Sequence, residues 1–446
     1  MRASSIGETG FNFPLTGGFM TTKKSTENTP SRGLYSGWYI LAVVVLFRLF
    51  GGSLRQSFGT FLIPIQEDFN MSRAMISLPV SLSLILFGFS QFFGALLIVR
   101  FGSRTLITIG VALTGLAIFG MSQIHSIWGF FFFYGIVLGM SGIGNSATAV
   151  SPLISWWFVE RRGLAFSIAS TGSSLGQATI IPVLAIMLAA MGWRSTFFWS
   201  GMVVLAIIVP ICFLIIRNRP EDMGLTSADA RTSPDKSQTR IVPYDLHWIQ
   251  CLLKKPFILL LSSFFTCGFT VTVIAVHWIP FASDVGFSPI LAATAFAAGG
   301  ALNTVGVLMV GPLSDKIGRK IPLSCVYLFR SLGFLLFIFF KNDVTVWATP
   351  MMIGFSWIAT VPLTSALTAD FFGAKNVGML FGLISVSHQI GAGLSAWLSG
   401  YIFDVTGSYD LAFAMAAYLC VQAAVLVYFI NERETREGGM PQPQPA

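Results

Sequence analysis

Five side chains able to carry charge fall inside otherwise apolar runs of this sequence: Arg48, Arg55, His277, Arg330 and His388. Placing an ionisable group within hydrocarbon is expensive, so each such residue needs water, a protein partner or a ligand. Arg48 and Arg55 are seven residues apart, which on a helix of 3.6 residues per turn sets them on one face about 10 Å apart along the axis. The acidic residues lie elsewhere: Asp315 and Asp370 fall at one set of segment ends, and Glu67, Asp68 and Asp284 at the other. A buried guanidinium with no carboxylate beside it is strongly unfavourable. The arginines therefore face a water-filled cavity, or an anionic solute supplies the missing oxygens. His277 and His388 add imidazoles with an ordinary pKa near 6.5, suited to carrying a proton.

Each of these positions also admits a structural role. Arg48 and Arg55 can bond helix carbonyls loosened by Gly51-Gly52, Arg330 can clamp neighbouring helices, and His277, three before Pro280, can cap the carbonyl that the proline frees. His388, next to Gln389, can serve polar packing between helices, as can Asn145 and Asn303. Trp357, and Trp156 or Trp157, offer flat aromatic walls for a solute.

The elements that must position these groups follow from composition. The chain has 446 residues, 54% apolar and 10% charged, against about 25% charged in soluble proteins. A crossing takes roughly 20 apolar residues, so the sequence accommodates about twelve, near 36–64, 74–99, 105–122, 127–157, 163–190, 195–216, 257–282, 289–312, 321–340, 344–369, 377–402 and 409–430. A soluble enzyme is excluded. Residues 1–35 lack a signal-peptide core and read as a disordered, retained tail, 36–216 as a first six-helix bundle, 217–256 as a linker, 257–430 as a second bundle, and 431–446 as a closing tail. Of 27 Lys and Arg, 21 fall on the side shared by both tails and the linker, while Arg73, Arg194 and Lys341 alone fall on the other. By the positive-inside rule both termini are expected in the cytoplasm, across a bacterial inner membrane. The excess of basic groups thus reports topology and contact with lipid head groups, not nucleic acid. The five scattered cysteines suggest neither disulfides nor a metal site, and no cofactor is expected.

A shift of 215–216 residues superposes Pro64 on Pro280, Asp68 on Asp284, Ser72 on Ser288, Gly102 on Gly318, Gly163 on Gly378, Gly176 on Gly391, Gly192 on Gly407 and Phe198 on Phe413. The expected fold is an all-α integral membrane protein of twelve helices in two pseudo-symmetric six-helix bundles.

The loop between the eighth and ninth crossings reads Gly311-Pro-Leu-Ser-Asp315-Lys316-Ile-Gly318-Arg319-Lys320 and fits G-x-x-x-D-[RK]-x-G-[RK]-[RK] throughout. With twelve crossings and a duplicated half, the chain resembles the major facilitator superfamily over about 36–430. The equivalent loop in the first half has Ala95 and Val99 where the glycine and aspartate belong. Trp157-Phe158-x-x-Arg161-Arg162-Gly163-Leu164-Ala165, Ser36-Gly37-Trp38, Gly192-Trp193-Arg194 and His277-x-x-Pro280-x-x-x-Asp284-x-Gly286-x-Ser288 are similar to monocarboxylate porters and oxalate:formate exchangers. The arginine that clamps the carboxylate on the eighth helix of those families has no counterpart here, since Val307 and Asn303 stand in that region.

What the resemblance implies is a secondary transporter that moves a small organic anion by alternating access. Arg55, Arg48, Arg330, His277, Asn303, His388, Asn145 and Trp357 are its candidate substrate contacts, and Gly311, Asp315, Lys316, Gly318 and Arg319 form a gate. A larger planar heteroaromatic solute of flavin-vitamin type, and exchange or facilitated diffusion without protons, stand as alternatives. The expected partners are the anion, protons and lipids, with no obligate protein partner. A membrane enzyme lacks paired carboxylates or an H-E-x-x-H motif. Gly139-x-x-Gly142-x-Gly144 lacks the lysine of a phosphate loop and reads as helix packing.

Overall fold

The computed structural model describes residues 36–158, 162–223 and 247–432. The expected tail 1–35, residues 433–446 of the expected tail 431–446, the middle of the linker and the side chain of Asp315 lie outside the described residues. Among the described residues the chain is helical and contains no strand. Eleven stretches are long and apolar enough to cross a membrane, and one of them, Leu164–Ile215, runs to 52 residues. That is more than twice what a crossing needs. It reverses at Gly192, whose φ of 75° is open to glycine and strained for other residues. Twelve crossings result.

We number them α1 (Ser36–Gln56, continuing as Phe58–Phe69), α2 (Arg73–Ile98), α3 (Arg100–Met121), α4 (Ile127–Trp157), α5 and α6 (164–191 and 193–215), α7 (Lys255–Asp284), α8 (Pro289–Ile317), α9 (Lys320–Phe339), α10 (Asp343–Gly373), α11 (Asn376–Thr406) and α12 (Asp410–Tyr428). The end of the bundle where α1 begins and α12 finishes is called the near end, and the opposite one the far end. Several helices outrun the sequence expectation, so Asp404 falls in the last turn of α11 and Asp315 in the last turn of α8.

The repeat in the sequence reappears as repeated contacts. A Cβ on Gly176 of α5 would stand 2.2 Å from the carbonyl oxygen of Leu49 on α1, and one on Gly391 of α11 would stand 2.3 Å from that of Phe265 on α7. Both members of each pair are related by the offset of 215–216. Gly52 against Ser173 and Gly268 against the His388 carbonyl form a second such set. Glycine here permits backbones to touch, the usual means of tight helix association in a solvent where burial of apolar surface gives no drive. The halves meet through α5 with α8, α2 with α11, and α1 with α7, as Gln177 to the Phe296 carbonyl (3.2 Å), Gly393 against the Ser81 carbonyl and Gly59 against the Ala275 carbonyl illustrate.

Besides α1, which breaks at Ser57, other helices expected to be continuous are interrupted. The tenth stops at Ser356 and restarts at Thr360. The fourth contains a π segment at Phe131–Val137 and a 3-10 turn at Ser141–Ile143. Its glycines pack as the sequence suggested: Gly142 faces the Phe87 carbonyl of α2 and Gly144 the Leu106 carbonyl of α3.

Candidate functional site

A cavity of about 80 Å³ lies between the halves, walled by α1, α2, α4, α7, α10 and α11. Its polar wall comprises Arg55, Gln56, Ser83, Tyr134, Trp357, His388 and Gln389, and α7 supplies Val271, Thr272, Ala275 and Val276. Of the eight side chains expected at the site, the structure brings three to this wall: Arg55, Trp357 and His388.

Arg55 owes its place to a kink. Ser53 bonds back to the Leu49 carbonyl at 2.5 Å and Ser57 to that of Leu54 at 3.0 Å, and such competition loosens a helix. The first segment of α1 ends at Gln56, so Arg55 sits in its last turn, where the helix dipole favours a cation. The Tyr134 hydroxyl, carried on the π segment of α4, donates to the Arg55 carbonyl at 3.3 Å. The guanidinium lies 3.8 Å above the ring of Phe87. Among the described residues its side chain has no hydrogen-bond or ion-pair partner, and Arg55 Nη1 and Gln56 Oε1 are buried without one. Arg48, two turns toward the near end, leaves Nε buried and unpartnered too, against Gly172 of α5. It does not reach the cavity wall.

Trp357 enters the wall from the break in α10, its ring 5.9 Å from Phe296. His388 approaches from α11, its ring tilted against that of Phe264 at 4.9 Å.

The other expected residues lie outside the wall. Arg330 is fully buried on α9, and the sequence argument that a membrane arginine lacking an acid must meet water or an anion does not hold for it. Its Nε donates to Ser356 Oγ (3.1 Å), Nη1 to Thr270 Oγ1 (3.0 Å) and Cys267 Sγ (3.3 Å), and Nη2 to the Ser356 carbonyl (2.6 Å) and that of Trp357 (3.4 Å). The break in α10 frees those carbonyls, and a cation at the C-terminus of the upper segment suits its dipole. Asn303 works on the same break from α8, accepting from Ile358 N at 3.0 Å while its Nδ2 donates to Ser174 Oγ of α5 at 3.1 Å. These two residues shape the segment that presents Trp357. His277 is also enclosed. The Ala396 carbonyl, 2.8 Å from Nε2, can only accept, so Nε2 carries the proton and Nδ1 receives the Tyr409 hydroxyl at 3.0 Å. Asn145 packs on Gly51 and reaches Thr114. Trp157 donates to the Arg217 carbonyl and Trp156 lies under Arg219, both at the near end.

In the gate motif, Gly318 takes φ 89° and turns α8 into α9. Gly311 has open space about its Cα, and Lys316 is exposed. Arg319 pairs with Asp370 and donates to the Ala366 carbonyl, while the backbone N–H groups of Arg319 and Lys320 donate to Glu432 at 2.7 and 2.9 Å. These bonds all remain in the second half. Sequence reasoning missed Gln56, Ser83, Tyr134 and Gln389. Gln56 and Tyr134 carried a usable signal, a polar group beside Arg55 and a tyrosine inside the phenylalanine run of α4.

Twelve helices in two like halves around a central cavity match a known architecture. The sequence profile described as the Major Facilitator Superfamily matches residues 41–369 and 308–445. The chain belongs to the Major Facilitator Superfamily, and it is a membrane transporter. It is 28% identical over 413 residues to the MFS-type transporter YcxA of Bacillus subtilis, covering 90% of this chain and 97% of that one. It is 23% identical to the oxalate:formate antiporter of Oxalobacter formigenes (88% and 94% covered) and 24% identical to monocarboxylate transporter 13 of Bos taurus (88% and 89% covered). Among solved structures, a bacterial homologue of the human lysosomal transporter Spinster, inward-facing and unoccupied, superposes with a TM-score of 0.68 at 17% identity, covering 93% of this chain and 100% of that one.

Proposed function

We propose that this transporter carries a small organic anion of carboxylate type, bound at Arg55. The observation that carries the reading is the Arg55 guanidinium in the cavity wall, with Nη1 buried and, among the described residues, no hydrogen bond and no carboxylate paired to it. An anion entering there would complete the hydrogen bonding that the protein leaves open, with Gln56, Gln389 and His388 within the same wall to fix its orientation. The oxalate:formate antiporter and the monocarboxylate transporter among the relatives move solutes of this kind by name.

Transport proceeds by alternating access, the two halves rocking about the cavity. The near end faces the cytoplasm of a bacterial inner membrane on this reading, since the basic residues concentrate there. Both ring nitrogens of His277 are occupied, so a coupling proton would travel on His388 or on the substrate itself; anion exchange needs neither. Arg330, Asn303, His277 and Asn145 hold helices in place, and Arg48 lies on the route between the cavity and the near end. A planar heteroaromatic anion is the second reading, favoured by the rings of Trp357 and Tyr134 in the wall.

The test is uptake and counterflow in proteoliposomes with oxalate, formate, lactate and riboflavin phosphate as probes. Saturable counterflow of at least one carboxylate, abolished in Arg55→Gln, is expected. Transport of an uncharged or cationic solute only would overturn the reading.

A further inference from the structure

The repeated carboxylates Asp68 and Asp284 close α1 and α7 at the far end, and each meets an arginine, but from different places. Asp68 is paired with Arg194 at 2.7 Å, at the start of α6 in its own half. The offset of 215 places Tyr409 where Arg194 would recur, so the second half lacks the corresponding arginine. Asp284 is served from across the molecule by Arg73, the first residue of α2. The contact is bidentate, with Nη1 to Oδ2 at 2.5 Å and Nη2 to Oδ1 at 2.7 Å.

More holds Arg73 than this pair. Its guanidinium lies 3.6 Å over the ring of Phe403, and Nε reaches Gln66 Oε1 at 3.3 Å. The backbone N–H groups of Arg73 and Ala74 donate to Asp404 at 3.0 and 2.8 Å, so a carboxylate of α11 caps the N-terminus of α2. The Arg73 side chain is 7% exposed, whereas the brace at Asp68 is 37% exposed on both partners. An exposed pair contributes little, but a bidentate one with its arginine buried and its carboxylate, Asp284, 28% exposed is stronger and directional.

We propose that Arg73, with Asp284 and Asp404, is the far-end latch of the transport cycle. One half offers the arginine and the helix terminus, the other offers both carboxylates, and the group must separate before a solute can pass that end. The bonds of Arg319 and Lys320 to Asp370, Ala366 and Glu432 at the near end, by contrast, join residues of the second half. Where the first half has Arg194 the second has Tyr409, and its carboxylate is met by a contact between halves instead of an internal brace. The inference does not depend on the substrate, and its test uses none.

Ser83 lies in the cavity wall and serves as the reporter. Ser83→Cys is introduced with Cys325→Ser, because Cys325 is the exposed native cysteine and the other four are buried. Membrane-impermeant maleimide is applied from the far side in intact cells and from the near side in inverted vesicles. Arg73→Ala and Asp284→Asn are each expected to raise far-side labelling about tenfold or more and to slow near-side labelling. The double variant should behave as either single one, since both remove the same contact. Arg73→Lys, which keeps charge and loses the fork, should fall between, and it stands in if Arg73→Ala does not reach the membrane. Far-side labelling unchanged from the parent in inserted Asp284→Asn and Arg73→Lys, or fully additive effects in the double variant, would overturn the latch.

Discussion

Replacing Arg55 separates two energies that the structure sets against each other. With an anion bound about 4 Å from the guanidinium and an effective dielectric near 20, the direct attraction is about 4 kcal/mol. The net gain after both groups lose water is smaller, about 1.5–3 kcal/mol for a charge-assisted contact. Arg55→Gln should therefore weaken binding of the transported carboxylate roughly ten- to hundredfold. Arg55→Lys, which retains charge without the planar fork, should lose less. Stability moves the other way. An unpartnered buried nitrogen costs about 1–3 kcal/mol, and Arg55→Met removes it while forfeiting about 0.5–2 kcal/mol of stacking on Phe87. Ligand-free Arg55→Met should consequently unfold at a temperature no lower than the parent. Purified protein in detergent serves for both measurements, by calorimetric titration with oxalate, formate and lactate and by thermal unfolding without solute. The reasoning fails if Arg55→Gln binds every carboxylate as the parent does. It fails equally if Arg55→Met is strongly destabilised, for then Arg55 is structural.

Arg330 should behave in the opposite sense. Arg330→Gln strands the acceptors of Ser356 and Thr270 in the core and should lower stability by about 1–3 kcal/mol for each group left unpaired, read as an early thermal transition, while the folded fraction binds solute with parental affinity; weakened binding at parental stability would instead make Arg330 a substrate contact. Trp357→Ala should spare a small carboxylate such as formate and weaken an aromatic anion several-fold, about 1 kcal/mol for a lost ring contact, so equal losses for both would exclude the heteroaromatic reading. Gly268→Ala would bring a Cβ within 1.8 Å of the His388 carbonyl, and parting α7 from α11 should reduce folded protein in the membrane, checked by size-exclusion profile; an unperturbed profile would show that the helices can separate freely.

The fold was legible because hydrocarbon imposes few solutions. Long apolar runs, the offset of 215–216 and the loop Gly311–Lys320 suffice to place twelve helices and pair them into halves, and the recurrent Gly176 and Gly391 contacts are what a duplicated sequence must build. The interruption of α10 was hidden, since Trp357-Ile358-Ala359 contains neither proline nor glycine and is held open by Arg330 and Asn303 from other helices. Two of the eight candidate contacts, Arg330 and Asn303, went astray for that reason. A polar residue in an apolar run signals an unmet hydrogen bond, and the sequence does not say whether a broken helix on another part of the chain will meet it. Arg73 and Asp284 were unreadable as a pair because 211 residues separate them and each looks like an ordinary helix-end charge.

Three different solutions to one electrostatic problem narrow the case for an anion. Arg73 is neutralised by carboxylates at the far end, where water also reaches. Arg330 is satisfied by neutral oxygens and a thiol, five contacts gathered around a helix break. Among the described residues Arg48 and Arg55 meet neither, although the same fold supplies both kinds of partner elsewhere. Their shortage is therefore not a general property of arginines in this protein but a local one, confined to one face of α1 and, for Arg55, to the wall of the cavity. A structural arginine would be expected to resemble Arg330. One retained for an incoming ligand keeps its donors available, and Arg55 does.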